Sequence, residues 1–425
     1  MLSTRSIFFE NGARRCHTPP RQGGSTMGSG DSAKTVFEDT MIWEPAGGPV
    51  PVDLIVLGMS DEDANFVAAC YEMARVLYER LPPRKNGQPA FTHPTNAAWF
   101  LTQAQAQAYV VAAGLLHDVL EDRVDIERGH GVRDAGQLDL LQNAIRGQFA
   151  TAVIEASLRA GFPREIAERV VDVVSTLTRH KSDLYYKSIS GIFTHSDLDI
   201  RMAASLVKLA DRMHNIMTIE NYRDDEKIYQ CFKNIFILNN AKQLRNEVAG
   251  RSLDERMILS LEKAFKKCGK ATFQALLRID HGQDADAPVF KLITYLALAL
   301  RKFNLEFNGL WKITSAKLGP DAPVYHVFHG IVNKYDNRLH HEEQKFQAQL
   351  DRELEYFAVT FRDLDLGEED LRRAITYKDA MALREVIAAL LYKEDYVIRG
   401  FECSRICRRG QNCLKMEANA QDVDA

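Results

Sequence analysis

The stretch Ala112 to Asp122, reading A-A-G-L-L-H-D-V-L-E-D, constrains this chain more than any other. Its first turns are apolar or small on every side, which predicts a buried helix. Yet it ends in His117, Asp118, Glu121 and Asp122. On a helix His117 lies beside Glu121, and Asp118 beside both Glu121 and Asp122. Three carboxylates and an imidazole therefore crowd into about one turn at the end of a core helix. Bare carboxylates buried together repel one another and are costly. A bound divalent cation removes most of that cost, so this helix end is read as one wall of a metal site.

The other walls are sought along the chain. Ser60 caps a helix whose core side is Phe66, Ala69, Cys70, Met73, Val76 and Leu77 and which stops at Pro82-Pro83. The segment before it, Phe37 to Met59, is broken by prolines and glycines and is expected to be extended. The loop that follows, R-K-N-G-Q-P-A-F-T-H-P (84–94), ends in His93. A residue before proline is biased away from helical geometry, so His93 is expected at the mouth of a helix over Thr95 to Thr102, as a cap or as a ligand. Arg123 to Gly136 reads as a charged loop. Helices are expected at Leu138 to Ala160, with Leu140, Leu141, Ile145, Phe149 and Val153 as core, and at Arg164 to Arg179. A polar connection, His180 to Leu198, carries Lys181, Ser182, Tyr185 and Tyr186.

A second rich stretch is V-K-L-A-D-R-M-H-N (207–215). Leu206, Leu209, Ala210, Met213, Ile216 and Met217 form a broad core stripe, while Lys208, Asp211 and Asn215 share one narrow strip. Alone, Asp211 reads as a satisfied core aspartate; paired with the earlier His-Asp it becomes a candidate ligand.

At 425 residues the chain has room for two or three domains. Its 54 basic and 58 acidic side chains leave a net charge of −4, which argues against general affinity for nucleic acid or anionic membrane. Phe290 to Leu300, the longest apolar candidate, is too short to span a bilayer. Seven scattered cysteines suit a reducing compartment, here the cytoplasm. Residues 1–36 read as a disordered leader, or as sequence upstream of a start at Met27, with a faint likeness to a transit peptide in their arginines. Long helices are expected over Asp224 to Leu277 and again over 289–398, separated by a solvated linker at Asp280 to Pro288. His326, His329, His340 and His341 lack matching acids or cysteines, and Cys403, Cys407 and Cys413 lack a fourth ligand, so both are weak metal signals. No phosphate-binding P-loop, dinucleotide glycine motif or nucleophilic serine elbow occurs.

Taken together, His93, His117-Asp118 and Asp211 give an H…HD…D pattern that resembles the HD-domain metal phosphohydrolases. The three blocks 84–94, 115–122 and 207–215 resemble more narrowly the hydrolase domain of the RelA/SpoT family. That resemblance implies an all-α HD-domain helical bundle, placed at residues 37–250; the pattern beyond it reads as a second helical region over 251–400 and a flexible tail over 401–425. It implies removal of pyrophosphate from the 3′ position of ppGpp and pppGpp. His93, His117, Asp118 and Asp211 would hold one metal, usually Mn²⁺ in this family, and Glu121 and Asp122 would orient and activate the attacking water. Arg84 would pack on the guanine, with Lys85 and Asn86 nearby; Asn215 would contact the sugar region, and Tyr185 falls near the family's pocket tyrosine. Two imidazoles and two carboxylates suit a first-row divalent metal better than calcium. Ala90 stands where the family commonly has Tyr, and Arg123 where Thr usually follows E-D. The connection between Tyr185 and Lys208 is also longer than in many bifunctional members. No alarmone synthetase or ACT-like domain is recognisable after residue 250, which suggests a hydrolase-only chain whose helical extension could meet a protein partner. Two alternatives stay open: an HD phosphohydrolase for another phosphorylated nucleotide, such as NADPH or a modified RNA end, and a non-catalytic alarmone sensor or antitoxin-like regulator. The intact Glu121-Asp122 pair argues against the latter.

Overall fold

The computed structural model describes residues 43–398 apart from 80, 85, 129–134, 180–184, 252–253, 280–286, 308–326 and 329. The leader (1–36), the 280–286 linker, Lys85, Lys181, Ser182, His326, His329 and the three tail cysteines lie outside the described residues. Every regular element among the described residues is a helix. A helical turn, Val52–Ile55, precedes α1 (Asp61–Tyr78), α2 (Thr92–Gln103), α3 (Ala108–Leu116), α4 (Val119–Arg128), α5 (Ala135–Arg159), α6 (Arg164–Leu177), α7 (Tyr185–Phe193) and α8 (Leu198–Met217). These are followed by α9 (Asp224–Val248), α10 (Glu255–Leu277), α11 (Pro288–Phe307), α12 (Ile331–Leu339), α13 (Glu343–Thr360) and α14 (Glu368–Tyr392).

The centre of the fold is α8. Its expected stripe is buried except for the half-buried Met217, and it packs against α2, α3 and α6 on one side of the sequence and α9 and α10 on the other. The described residues belong to one compact unit: α10, beyond residue 250, lies on α8 and α9, and α14 lies on α9 and α10. Ser60 caps α1 as expected, accepting from the Asp63 N–H at 3.2 Å. None of the described helices is long and apolar enough to cross a membrane.

Several local expectations are corrected. The organising stretch is not one helix: α3 ends at Leu116, His117 and Asp118 form a turn, and α4 starts at Val119. The His117 Nδ1 lies 2.8 Å from the Gly114 carbonyl, the acceptor that the Asp118 N–H would take in a continuous helix. The side chain thus competes with the ladder at the position where the site needs a bend. Residues 123–128 continue α4 rather than forming a loop, and α7 interrupts the 180–198 connection. His93 lies inside α2 rather than before it. Pro94 is the third residue of that helix, where the missing N–H has no intrahelical partner to lose. On α5 the buried side is Leu138, Ile145, Phe149 and Val153, and Leu140 is 72% exposed; Val76 of α1 is likewise exposed, with Ala74 and Tyr78 buried instead.

Candidate metal centre

Four side chains from three places in the chain meet at the bend after α3. His93 arrives from the first turn of α2, His117 and Asp118 from the bend itself, and Asp211 from the middle of α8. The approach of α3 to α2 depends on Gly114, since a Cβ there would lie 2.5 Å from Leu101 Cδ1 and 3.5 Å from the Ala98 Cα.

The donor atoms converge. His117 Nε2 lies 3.2 Å from His93 Nε2 and 3.2 Å from Asp118 Oδ2, and His93 Nε2 lies 3.5 Å from Asp118 Oδ2. His93, His117 and Asp118 could hold a metal ion between them. Asp211 joins through His93, with its Oδ1 3.2 Å from Nε2. Two ligands each about 2.1 Å from one metal sit roughly 3.0–3.4 Å apart, so these spacings fit a first-row divalent ion. Both histidines and Asp211 are buried, and Asp118, at 37% side-chain exposure, opens the group toward solvent.

The surroundings orient the donors. The Gly114 carbonyl fixes a proton on His117 Nδ1 and turns Nε2 inward. His93 Nδ1 lies 2.9 Å from His214 Nδ1, so a proton on His93 Nδ1 is received by His214 while His93 Nε2 faces the cluster. His214 was not singled out from sequence, although it sits in the quoted 207–215 block; its partner is remote in the chain, and only the fold reveals the pair. Asp211 is braced by Lys208 Nζ at 2.8 Å and by the Asn215 amide, which donates to Oδ1 at 2.5 Å.

Electrostatics follow from this crowding. For His117, burial works against the imidazolium, but Asp118 and Asp211 outweigh it and lift the pKa to about 9. Burial likewise opposes the charge on Asp118 and Asp211, yet His117 holds Asp118, and Lys208 and His93 hold Asp211, well below the usual carboxylate range. Burial, then repulsion from His93 and Arg84, pushes His214 down to about 2, which keeps it a neutral acceptor. Asp122 goes the other way: burial and the charges of Asp118 and Glu121 raise it to about 7. A carboxyl poised near neutrality beside a donor cluster can take or give a proton. Glu121 Oε1 accepts the Arg179 backbone N–H at 2.6 Å, tying α4 to the end of α6.

The remaining sequence candidates divide into two groups. Arg84 Nη2 donates to Asn215 Oδ1 at 2.8 Å, which links the 84–88 loop to the Asp211 strip. Asn86 and Gln88 border a cavity of about 380 Å³ whose other walls include Trp43, Met217, Thr218 and Arg278. Tyr185, at the start of α7, faces Lys233 of α9.

No family model matches the chain. Curated relatives do. A probable guanosine-3′,5′-bis(diphosphate) 3′-pyrophosphohydrolase of Mycoplasma pneumoniae is 33% identical over 146 residues, 32% of this chain and 16% of the relative. The guanosine-3′,5′-bis(diphosphate) 3′-pyrophosphohydrolase of Haemophilus influenzae is 29% identical over 148 residues, 34% of this chain and 17% of that one. The bifunctional (p)ppGpp synthase/hydrolase SpoT of Escherichia coli is 26% identical over 178 residues, covering 41% and 21%. The chain thus spans about a sixth to a fifth of the length of these relatives.

Proposed function

We propose that this chain, a RelA/SpoT-family relative over about a third of its length, removes pyrophosphate from the 3′ position of the guanosine alarmones ppGpp and pppGpp. The observation that carries the reading is the convergence of His93, His117 and Asp118 within 3.2–3.5 Å of one another, with Asp211 touching that group through His93 alone.

In this reading the four residues hold one divalent metal, with Mn²⁺ the expected ion. The chemistry such an ion would supply there is polarisation of a phosphoryl oxygen and acidification of water. The chain's own residues supply the rest. Asp122 accepts the proton of the attacking water, and Glu121, fixed by the Arg179 amide, orients that water. Arg84 packs on the guanine, held by Asn215, and the cavity beside Asn86 takes the base; Lys85 belongs to the same loop. Attack by water needs no covalent nucleophile. The products are GDP or GTP and pyrophosphate.

The test is release of pyrophosphate from ppGpp by the purified full chain, with Mn²⁺ and with chelator. Metal-dependent formation of GDP plus pyrophosphate is expected. Glu121→Gln should keep the metal and lose most turnover. A metal-loaded protein that binds ppGpp and leaves it intact would favour the sensor reading, and turnover of NADPH in its place would favour the broader nucleotide phosphohydrolase.

A further inference from the structure

A second cluster of cations lies next to the candidate metal centre, and two of them, Lys233 and Arg212, have no carboxylate partner among the described residues. Lys233, halfway along α9, puts its ammonium 4.4 Å from the centre of the Tyr229 ring and 5.2 Å from that of Tyr185. Among the described residues no carboxylate or carbonyl pairs with it. Arg338 of α12 approaches the same Tyr229 ring at 4.7 Å. Its nearest carboxylates, Asp225 at 3.7 Å and Glu343 at 4.0 Å, are beyond hydrogen-bond reach, and its Nη1 is buried without a partner. The Tyr185 hydroxyl is also buried without a partner. Close by, among the described residues Arg212 is hydrogen-bonded only to the neutral groups of Asn234 and Gln230.

These groups act on one another. Burial, and then Arg212, Arg338, Lys208 and Arg179, push Lys233 down to about 7. Lys208 is the cation that braces Asp211, so the cluster adjoins the metal centre on that side. Ring faces attract a cation but do not neutralise several like charges at once. Buried cations and unpaired donors are stable when an anion with several acceptor oxygens sits among them.

We propose that Lys233, Arg338 and Tyr185 form a phosphoryl-binding subsite, built jointly by α9, the C-terminal helix α12 and α7. This rests on the alarmone reading and deepens it: a nucleotide with its 3′-pyrophosphate at the metal centre carries a second phosphate chain that needs a seat. It also gives residues beyond 250 a direct part in substrate recognition. The same chemistry would accept free pyrophosphate, including the product.

The experiment uses the full-length, Mn²⁺-loaded protein and two readouts. In the first, Lys233→Met and Arg338→Met are compared with the parent in ppGpp hydrolysis. The loss is expected to fall on KM, roughly tenfold or more, rather than on kcat, about the effect of removing one charged hydrogen-bond partner. Without nucleotide, Lys233→Met should melt at the same temperature or higher, because it removes a buried like charge; a purely structural lysine would give a lower one. In the second, the rate of acylation of Lys233 in the parent protein is followed by mass spectrometry with and without ppGpp or inorganic pyrophosphate. A raised KM with protection by ppGpp assigns the subsite to the substrate. An unchanged KM with protection by pyrophosphate alone assigns it to a separate anion. An unchanged KM and no protection by either overturns the proposal. Should the parent protein fail to hydrolyse ppGpp, the proposed function falls, and the acylation readout still decides the subsite.

Discussion

Metal loading of this protein should be strongly pH-dependent, and His117 sets the dependence. Its pKa of about 9 means that the residues alone hold it as an imidazolium at neutral pH. An imidazole binds a metal only in its neutral form, so binding through His117 releases that proton. Asp118 and Asp211, held well below the usual range, are already ionised and release none. The proton costs about 1.4 kcal/mol for each unit between the pKa and the solution pH, or about 2.7 kcal/mol at pH 7. The apparent Kd for Mn²⁺ should therefore fall about tenfold per pH unit from about pH 6.5 to 9 and level off above. The chelated protein should show the opposite trend. A folded-state pKa raised above the unfolded value stabilises fully below about 6.5, and this stabilisation is lost as pH rises through about 9. Calorimetric titration with Mn²⁺ at pH 6.5, 7.5 and 8.5, in buffers of different ionisation heat, gives both the affinity and the protons released. A flat affinity with no proton release across this range would refute the argument that metal displaces a proton from a charged His117.

Three further outcomes follow from the packing. Gly114→Val forces α2 and α3 apart against the buried Leu101, so it should lower stability by roughly 1–3 kcal/mol and weaken Mn²⁺ binding, measured by melting and titration; a variant with native affinity would show that the helices part without moving the histidines. His214→Phe keeps the ring volume and removes the acceptor for His93 Nδ1, so Mn²⁺ affinity should fall roughly ten- to a hundredfold in a protein that still folds. Truncation after residue 250 strips α10 and α14 from α8 and α9, and a soluble fragment 37–250 that binds Mn²⁺ would contradict the packing described above.

The site was more legible than the fold around it, because its chemistry is dense and local. A buried His-Asp followed by Glu-Asp, and an aspartate at the edge of a helical apolar stripe, are costly patterns that sequence alone exposes. What escaped was set by partners far along the chain. The bend at His117 arises because an imidazole takes the Gly114 carbonyl, and periodicity reads the same stretch as one helix. His214 was one more polar residue until its partner, His93, was placed 2.9 Å away. Lys233 is one of many helix lysines in the sequence, and only the fold sets it against the Tyr185 and Tyr229 rings with no carboxylate partner among the described residues.

The C-terminal half was the least legible, since amphipathic helices announce that they bury a face without saying against what. Its core is partly ionic: Lys334 and Lys378 are buried with Glu353 and Asp379, and Lys334 Nζ lies 2.7 Å from Glu353 and 2.5 Å from Asp379. Buried ion groups add little net stability over apolar packing, but they penalise every arrangement that separates them. Lys334 is on α12, Glu353 on α13 and Asp379 on α14, so this group fixes the three helices relative to one another. From α12, Asp336 accepts the Tyr186 hydroxyl of α7 at 2.8 Å, one residue from Tyr185, and Arg338 reaches Tyr229 of α9. An ionic core that holds α12 in one place therefore also holds one wall of the phosphoryl subsite, which is a reason for the chain to keep charges where apolar side chains would pack as well.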